Sequence, residues 1–265
     1  MSERPEPGSP VLLVFRDGSA RVIIAERGRV LDTKHGRVLH DDVLSSAWGS
    51  TVMTSTGSKA FVFKPSLIDI QMHVAERVTQ VIYPKDWCFM IAAAGVGPGS
   101  IVVEVGTGSG FLTMALACAV RPTGRVYTFD VRREFVDAAR RNVGLSGCGD
   151  VVEFFELDAK SGIPVRGADA AFVDVPDPWN LLRPLHEALK SSGSLAVFLP
   201  TVNQVSKLLA ESSKSELFGY PRVFEIMLRE YQPDPSALRP ISIQVAHTGY
   251  VVLLRRLAAI DEDRR

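Results

Sequence analysis

Residues 101–110, Ile-Val-Val-Glu-Val-Gly-Thr-Gly-Ser-Gly, constrain the fold of this chain more than any other stretch. A β-branched apolar run is succeeded by a turn with glycine at every second position. Leu112, Leu116 and Ala119 then recur at helical spacing, so the segment reads as strand, tight loop and helix. Gly106, Gly108 and Gly110 lack the Cβ atom that disfavours positive φ. The loop is therefore expected to pass close beneath a bound nucleoside, while the helix behind it offers free N–H groups. The spacing Glu-x-Gly-x-Gly-x-Gly differs from the Gly-x-Gly-x-x-Gly of dinucleotide-binding loops. Taken alone, it leaves open an ordinary tight strand-to-helix turn.

Beyond the loop the chain alternates strand and helix, the pattern of a parallel sheet covered on both faces. Val126–Phe129 is an expected strand ending at Asp130, with a helix over Glu134–Val143. Val151–Leu157 ends at Asp158, Ala170–Val173 ends at Asp174, and Leu195–Leu199 precedes a helix over Asn203–Ser212. The runs Arg222–Glu230 and Ile243–Leu254, joined by a Pro-containing connector without a helix, read as an antiparallel pair. Ahead of the loop, Leu67, Ile70, Val74, Val78 and Val81 predict one amphipathic helix from Ser66 to Val81, and Trp87–Ala94 predicts another that Asp86 caps.

Residues 11–64 differ in kind. Val11–Phe15, Ala20–Ala25, Gly36–Leu39, Ser50–Thr54 and Ala60–Phe63 are short β-rich runs between polar turns, as in a small barrel or curled sheet. Pro65 breaks the pattern. The expected organisation is a small β domain over 1–64 and an α/β domain over 65–265. With 46% hydrophobic residues the chain can bury a substantial core. Lys plus Arg and Asp plus Glu both number 30, so any nucleic-acid surface has to be a local patch or come from assembly of several chains. Between positions 11 and 85 ten basic residues face seven acidic ones, a slight excess that fits a solvated surface as well as an RNA-facing one. Cys88, Cys118 and Cys148 have neither zinc-ligand spacing nor the even number of a disulfide framework. No apolar run is long enough to span a membrane and the polar, proline-rich start does not read as a signal peptide, so a cytoplasmic protein without a bound metal is expected.

In an open α/β sheet, ligands bind beyond the carboxyl ends of the strands. Glu104, Asp130, Asp158 and Asp174 all fall at such ends, and their convergence on one crevice is expected. Asp130 is placed to accept hydrogen bonds from two ribose hydroxyls, and Asp158 to meet the adenine end of a nucleoside. In Asp174-Val175-Pro176-Asp177-Pro178-Trp179 the prolines stiffen a loop that presents an acid and an aromatic ring.

The glycine loop resembles the first motif of the Rossmann-like S-adenosylmethionine methyltransferases. The Asp174 loop resembles the Asp/Asn-Pro-Pro-aromatic loops of amino methyltransferases, with Asp first and only alternate prolines. With Ile82-Tyr83-Pro84-Lys85-Asp86, Arg229-Glu230-Tyr231, Arg239-Pro240 and His247-Thr248-Gly249-Tyr250 added, the chain resembles over nearly its whole length the tRNA adenine-N1 methyltransferases that modify T-loop position 58. The single-polypeptide bacterial and archaeal form is the one it is similar to. Asp130 stands where Glu is common in that family, and Tyr231 where Trp is common. The resemblance implies a class I methyltransferase sheet with an antiparallel last strand, S-adenosylmethionine as donor, tRNA as substrate and a homotetramer. It also implies that Ser109, Phe111, Leu112, Asp130, Leu157, Asp158 and Asp174 contact donor or target, alongside Glu104, Gly106, Thr107, Gly108 and Gly110. Position 57 stays open as a second target.

Adenine N1 carries an in-plane lone pair and no proton, so the protein's task is orientation and stabilisation of the cationic product. Asp174 near the N6 amino group is expected in that role, and Tyr83 is expected against the swung-out base. His247 is expected to be a structural hydrogen bonder, because no acidic partner precedes it in sequence. Lys85 and Arg229 are candidates for phosphate contact. A methyltransferase acting on a protein or small molecule would share the loop and the acids but would not need the N-terminal β domain.

Overall fold

The computed structural model describes residues 3–242 and 245–258, which divide into two compact units, one ending at Glu76 and the other beginning at Arg77. In the first unit the strands are β1 (Pro10–Phe15), β2 (Ala20–Ile24), β3 (Val30–Thr33), β4 (Gly36–Leu39), β5 (Thr51–Met53) and β6 (Lys59–Phe63). Helix α1 (His40–Ser45) comes after β4, and α2 (Leu67–His73) after β6. An antiparallel sheet of order β2-β1-β6-β5 buries Val11, Leu13 and Phe15 of β1 on one face, against Ile23, Val52, Ala60 and Val62. The hairpin β3–β4 is a separate ribbon, so the strands form an open sheet and no closed barrel. Strand β3, with Asp32 and alternating exposure, lacks the apolar run that marks its neighbours.

Helix α2 opens with a capping box: Ser66 Oγ accepts from the Asp69 N–H (3.2 Å), and Asp69 Oδ2 accepts from the Ser66 N–H (2.8 Å). It stops at His73, well short of the expected Val81. The N–H groups of Val78 and Thr79 donate to Ser109 Oγ, both at 3.0 Å, so they are not available to close helical turns. The apolar period continues where the helical hydrogen bonds do not.

The second unit contains α3 (Pro84–Ala94), β7 (Ile101–Val105), α4 (Phe111–Val120), β8 (Arg125–Asp130), α5 (Arg133–Leu145), β9 (Val152–Glu156), β10 (Ala168–Val173), α6 (Leu182–Ala188), β11 (Leu189–Leu199), α7 (Val202–Ser215), β12 (Phe218–Phe224), a short ribbon of β13 (Tyr231–Gln232) with β14 (Arg239–Pro240), and β15 (Tyr250–Arg256). Seven strands form one sheet in the order β12-β15-β11-β10-β7-β8-β9. All neighbours run parallel except β15, which is antiparallel to both β11 and β12. Central strands covered on both faces carry near-continuous apolar runs, as in Ala170–Val173 and Leu195–Leu199. The final antiparallel pair is therefore present, with β12 beginning earlier and β15 later than the apolar runs alone imply; Ile243 and Gln244 lie outside the described residues.

Asp86 does not cap α3. Tyr83 is the N-cap, Pro84 occupies the first turn, and Asp86 is fully buried. Its carboxylate accepts from Lys85 Nζ (2.9 Å) and Thr248 Oγ1 (2.7 Å). Lys85 Nζ also donates to the Ile226 carbonyl (2.7 Å) and Thr248 Oγ1 (2.6 Å). Lys85 is thus enclosed by acceptors rather than turned to a phosphate.

Candidate active site

A cavity of about 570 Å³ opens beyond the carboxyl ends of β7, β8, β9, β10 and β11. Each strand end contributes: Gly106 and Gly108, Asp130 and Arg132, Leu157 and Asp158, Asp174 to Asp177, and Pro200 with Gln204. Thr79 and Gln80 close another side. A smaller space sharing Gly106, Gly108 and Asp174 is lined by Glu104, Thr107, Ser109, Phe111 and Leu112. Of the four carboxylates expected to converge on one crevice, Asp130, Asp158 and Asp174 line the larger space, while Glu104 lines only the smaller one, which Asp174 also borders. Gly110 and Tyr83 line neither space; Gly110 is the N-cap of α4, and Tyr83 lies one residue past Ile82, which does line the smaller one.

The glycines are required first by the protein itself. A Cβ on Gly106 (φ +96°) would collide with the Asp174 carbonyl, and one on Gly110 (φ +76°) would lie 2.8 Å from Ala139 of α5. The loop can be tight only because these positions carry no side chain. Its outer side is pinned by Ser109, whose Oγ accepts the N–H groups of Val78 and Thr79, while Thr79 Oγ1 accepts the Ser109 N–H (3.1 Å). Ser109 Oγ therefore serves the 78–79 segment. Asn142 Nδ2 completes the clamp on the Ser109 carbonyl (2.8 Å).

Asp130 lines the crevice at the end of β8. One carboxylate oxygen accepts the Gly108 N–H and the other the Arg132 N–H, each at 3.0 Å. Each oxygen keeps a further lone pair for a ligand hydroxyl. Asp158 accepts the Lys160 N–H (3.0 Å), and Lys160 Nζ reaches across to Asp177 (2.7 Å), lowering the Asp177 pKa.

Glu104 is buried beside Thr113, whose hydroxyl donates to Oε2 at 2.6 Å. Oε1 is the buried side-chain oxygen or nitrogen without a hydrogen-bond partner among the described residues. Burial pushes its pKa up to about 8, opposed by the Thr113 and Thr128 hydroxyls and reinforced by Asp174 and Asp130. Asp174 stands at the junction of the two spaces, and burial pushes its pKa up to about 7 with no hydrogen bond or cation among the described residues to oppose the rise.

His247 does have an acidic partner, brought to it by the antiparallel pairing rather than by local sequence. Its Nδ1 lies 2.7 Å from Glu225 Oε1 and its Nε2 3.3 Å from the Pro200 carbonyl. Two acceptors on two ring nitrogens favour the imidazolium, and Glu225, then Pro200, raise the pKa. His247 thus braces the Pro200 wall of the cavity. Arg229 is exposed. Thr79, Pro200 and Gln204 line the cavity without having stood out in the sequence. Pro200 directly succeeds a strand end and could have been found by the rule that located the acids; Gln204 carries no such signal. Among the described residues no group of three or more His, Cys, Asp or Glu side chains is arranged to hold a metal.

Strand order, glycine loop and the carboxylates at the strand ends define a class I S-adenosylmethionine-dependent methyltransferase fold. Residues 61–249 match the family described as tRNA methyltransferase complex GCD14 subunit. The chain belongs to that family. It is 34% identical to the tRNA (adenine(57)-N(1)/adenine(58)-N(1))-methyltransferase TrmI of Methanocaldococcus jannaschii, over 78% of this chain and 82% of the relative. It is 32% identical to the tRNA (adenine(58)-N(1))-methyltransferase TrmI of Thermus thermophilus, over 96% and 98%. Among solved structures, the tRNA (m1A58) methyltransferase TrmI of Aquifex aeolicus superposes with a TM-score of 0.86 at 33% identity, covering 96% of this chain and 99% of that one. A protein from Thermotoga maritima described as a SAM-dependent O-methyltransferase superposes with a TM-score of 0.92 at 35% identity, covering 98% and 97%.

Proposed function

We propose that the chain transfers the methyl group of S-adenosylmethionine to N1 of adenine 58 in the T-loop of tRNA, with position 57 as a second candidate target. The observation that carries this reading is Asp174, held at the meeting point of the two spaces with its pKa raised by burial alone, in a chain of the tRNA methyltransferase family. Bound S-adenosylmethionine supplies an electrophilic methyl group on a sulfonium centre. Asp130 would hold the ribose, Leu157 and Asp158 the adenine end, and the loop from Gly106 to Leu112 with Glu104 the remainder. The orphaned Glu104 Oε1 suits a donor such as an ammonium group, which would complete its hydrogen bonding and compensate its burial.

Asp174 then accepts from the N6 amino group of the target adenine. As N1 attacks, positive charge spreads onto the amidine system of the ring, and a carboxylate there lowers the barrier. The same carboxylate can later take a proton from N6. Tyr83 lines neither space, whereas Gln204 and Pro200 line the larger one and are candidates to meet the base. We further propose a cytoplasmic homotetramer. Its support is the apolar exposure of the edge strand β12 and the segment after it, with Tyr220 69% and Met227 80% exposed. Among the described residues no helix is long and apolar enough to cross a membrane.

The alternative, methyl transfer to a small molecule or protein, draws on the likeness to the Thermotoga maritima O-methyltransferase. Incubation with unmodified tRNA transcript and radiolabelled S-adenosylmethionine, then nuclease digestion and mass spectrometry, separates the two. Label in 1-methyladenosine from the T-loop is the expected result. Absence of label from tRNA, with donor binding intact, would overturn the tRNA reading and favour the alternative.

A further inference from the structure

Two of the three cysteines meet on the helical layer that backs the glycine loop. Cys118 lies in the last turns of α4, the helix that starts at Phe111 directly after the loop, and Cys148 lies in the turn between α5 and β9. Their sulfur atoms are 2.8 Å apart, inside the contact distance of two non-bonded sulfurs and roughly 0.8 Å from disulfide bonding distance. Access is asymmetric: Cys118 is exposed and Cys148 is buried. Arg121, which donates to the Gly147 carbonyl at 2.7 Å, also brings Nη1 to 3.8 Å from Cys148 Sγ.

We propose that Cys118 and Cys148 are an oxidation site that closes to an intrachain disulfide on meeting a small-molecule disulfide such as oxidised glutathione. The steps balance as thiol–disulfide exchange. The Cys118 sulfur, losing its proton to solvent, attacks the oxidant and releases one small thiolate, leaving a mixed disulfide. Cys148, 2.8 Å away, then gives up its proton to solvent, attacks the Cys118 sulfur and expels the second small thiolate. Two protein thiols lose two electrons and two protons, and the oxidant is reduced to two thiols. In the resting state partial desolvation of its sulfur, and then the hydrogen bond with Cys148, push the Cys118 thiol up to about 12, so its attack is slow at neutral pH. Closure ties α4 to the α5–β9 turn across residues 118–148.

The test is incubation of the full chain with oxidised glutathione under native conditions, then denaturing alkylation, digestion and non-reducing mass spectrometry. The expected product is one cross-linked peptide pair, Cys118 with Cys148, two hydrogens lighter than its reduced parts, with Cys88 the sole alkylated thiol. Thermal unfolding should shift up by roughly 5–10 °C on oxidation and return on reduction. Cys88→Ser should keep the shift, while Cys118→Ser and Cys148→Ser should lose it. Recovery of all three thiols alkylated, a glutathione adduct persisting on Cys118, or a cross-link to Cys88 or between two chains would each overturn the proposal.

Discussion

Two carboxylates of the proposed site, Glu104 buried and Asp174 half-buried, have raised pKa values that give each a separate expected signature. Glu104 titrates near 8 when folded and near its ordinary 4.5 when unfolded, so over that window the folded state holds an extra proton and stability falls as pH rises. Glu104→Gln is expected to flatten the decline of Tm between about pH 5 and pH 8, to raise Tm at the upper end, and to weaken donor binding; calorimetry across that range and a donor titration check it. Asp174 has to be ionised to stabilise a cationic adenine, so the rate of methylation should climb through about pH 7. Asp174→Asn should remove that limb and lower kcat roughly 100- to 1000-fold, by analogy with loss of a charge-stabilising group. Donor affinity, measured separately, should change little if Asp174 serves the target rather than the donor. A kcat within a few-fold of the parent would exclude it from the chemistry. Both residues were legible in the sequence because strand ends are where such sheets bind ligands; the orphaned Glu104 oxygen was not, since burial is a property of the packed neighbours.

At the level of elements, the glycine loop and its clamp act as one piece. Ser109→Ala removes the acceptor for two backbone N–H groups and should cost about 1–3 kcal/mol of stability, together with weaker donor binding, as read by denaturant titration and a binding isotherm. The strand, loop and helix around Gly106–Gly110 could be read directly from residue spacing. The helix expected up to Val81 could not be delimited that way, because the helix closes at Val74 while the apolar period continues through a segment whose N–H groups at Val78 and Thr79 go to a serine about thirty residues on. A similar long-range partner explains Lys85: nothing local distinguishes a surface lysine from one enclosed by Asp86, Ile226 and Thr248. Lys85→Ala leaves Asp86 buried and less compensated, and a loss of about 3–5 kcal/mol in chemical unfolding is expected. Asp86→Asn in the Lys85→Ala background should recover part of it.

For the whole molecule, a formal net charge of zero means that affinity for a polyanion has to come from local patches or from several chains acting together. Sedimentation equilibrium is expected to give a species of four chains, and Met227→Asp should shift it toward smaller ones; a monomer at micromolar concentration would remove the tetramer. The reversed strand β15 sets an order on how the molecule can be made. It sits between β11 and β12, and β12 has no other strand beside it among the described residues. On a ribosome, β12 is made before the strand it pairs with, and His247 is made after the Pro200 wall it braces. A nascent chain halted before Tyr250 holds every carboxylate of the crevice and yet lacks the strand that joins the sheet's outer edge to its centre. The pockets of the crevice, whose lining residues all precede Tyr250, are therefore synthesised before the strand that ties the sheet together around them.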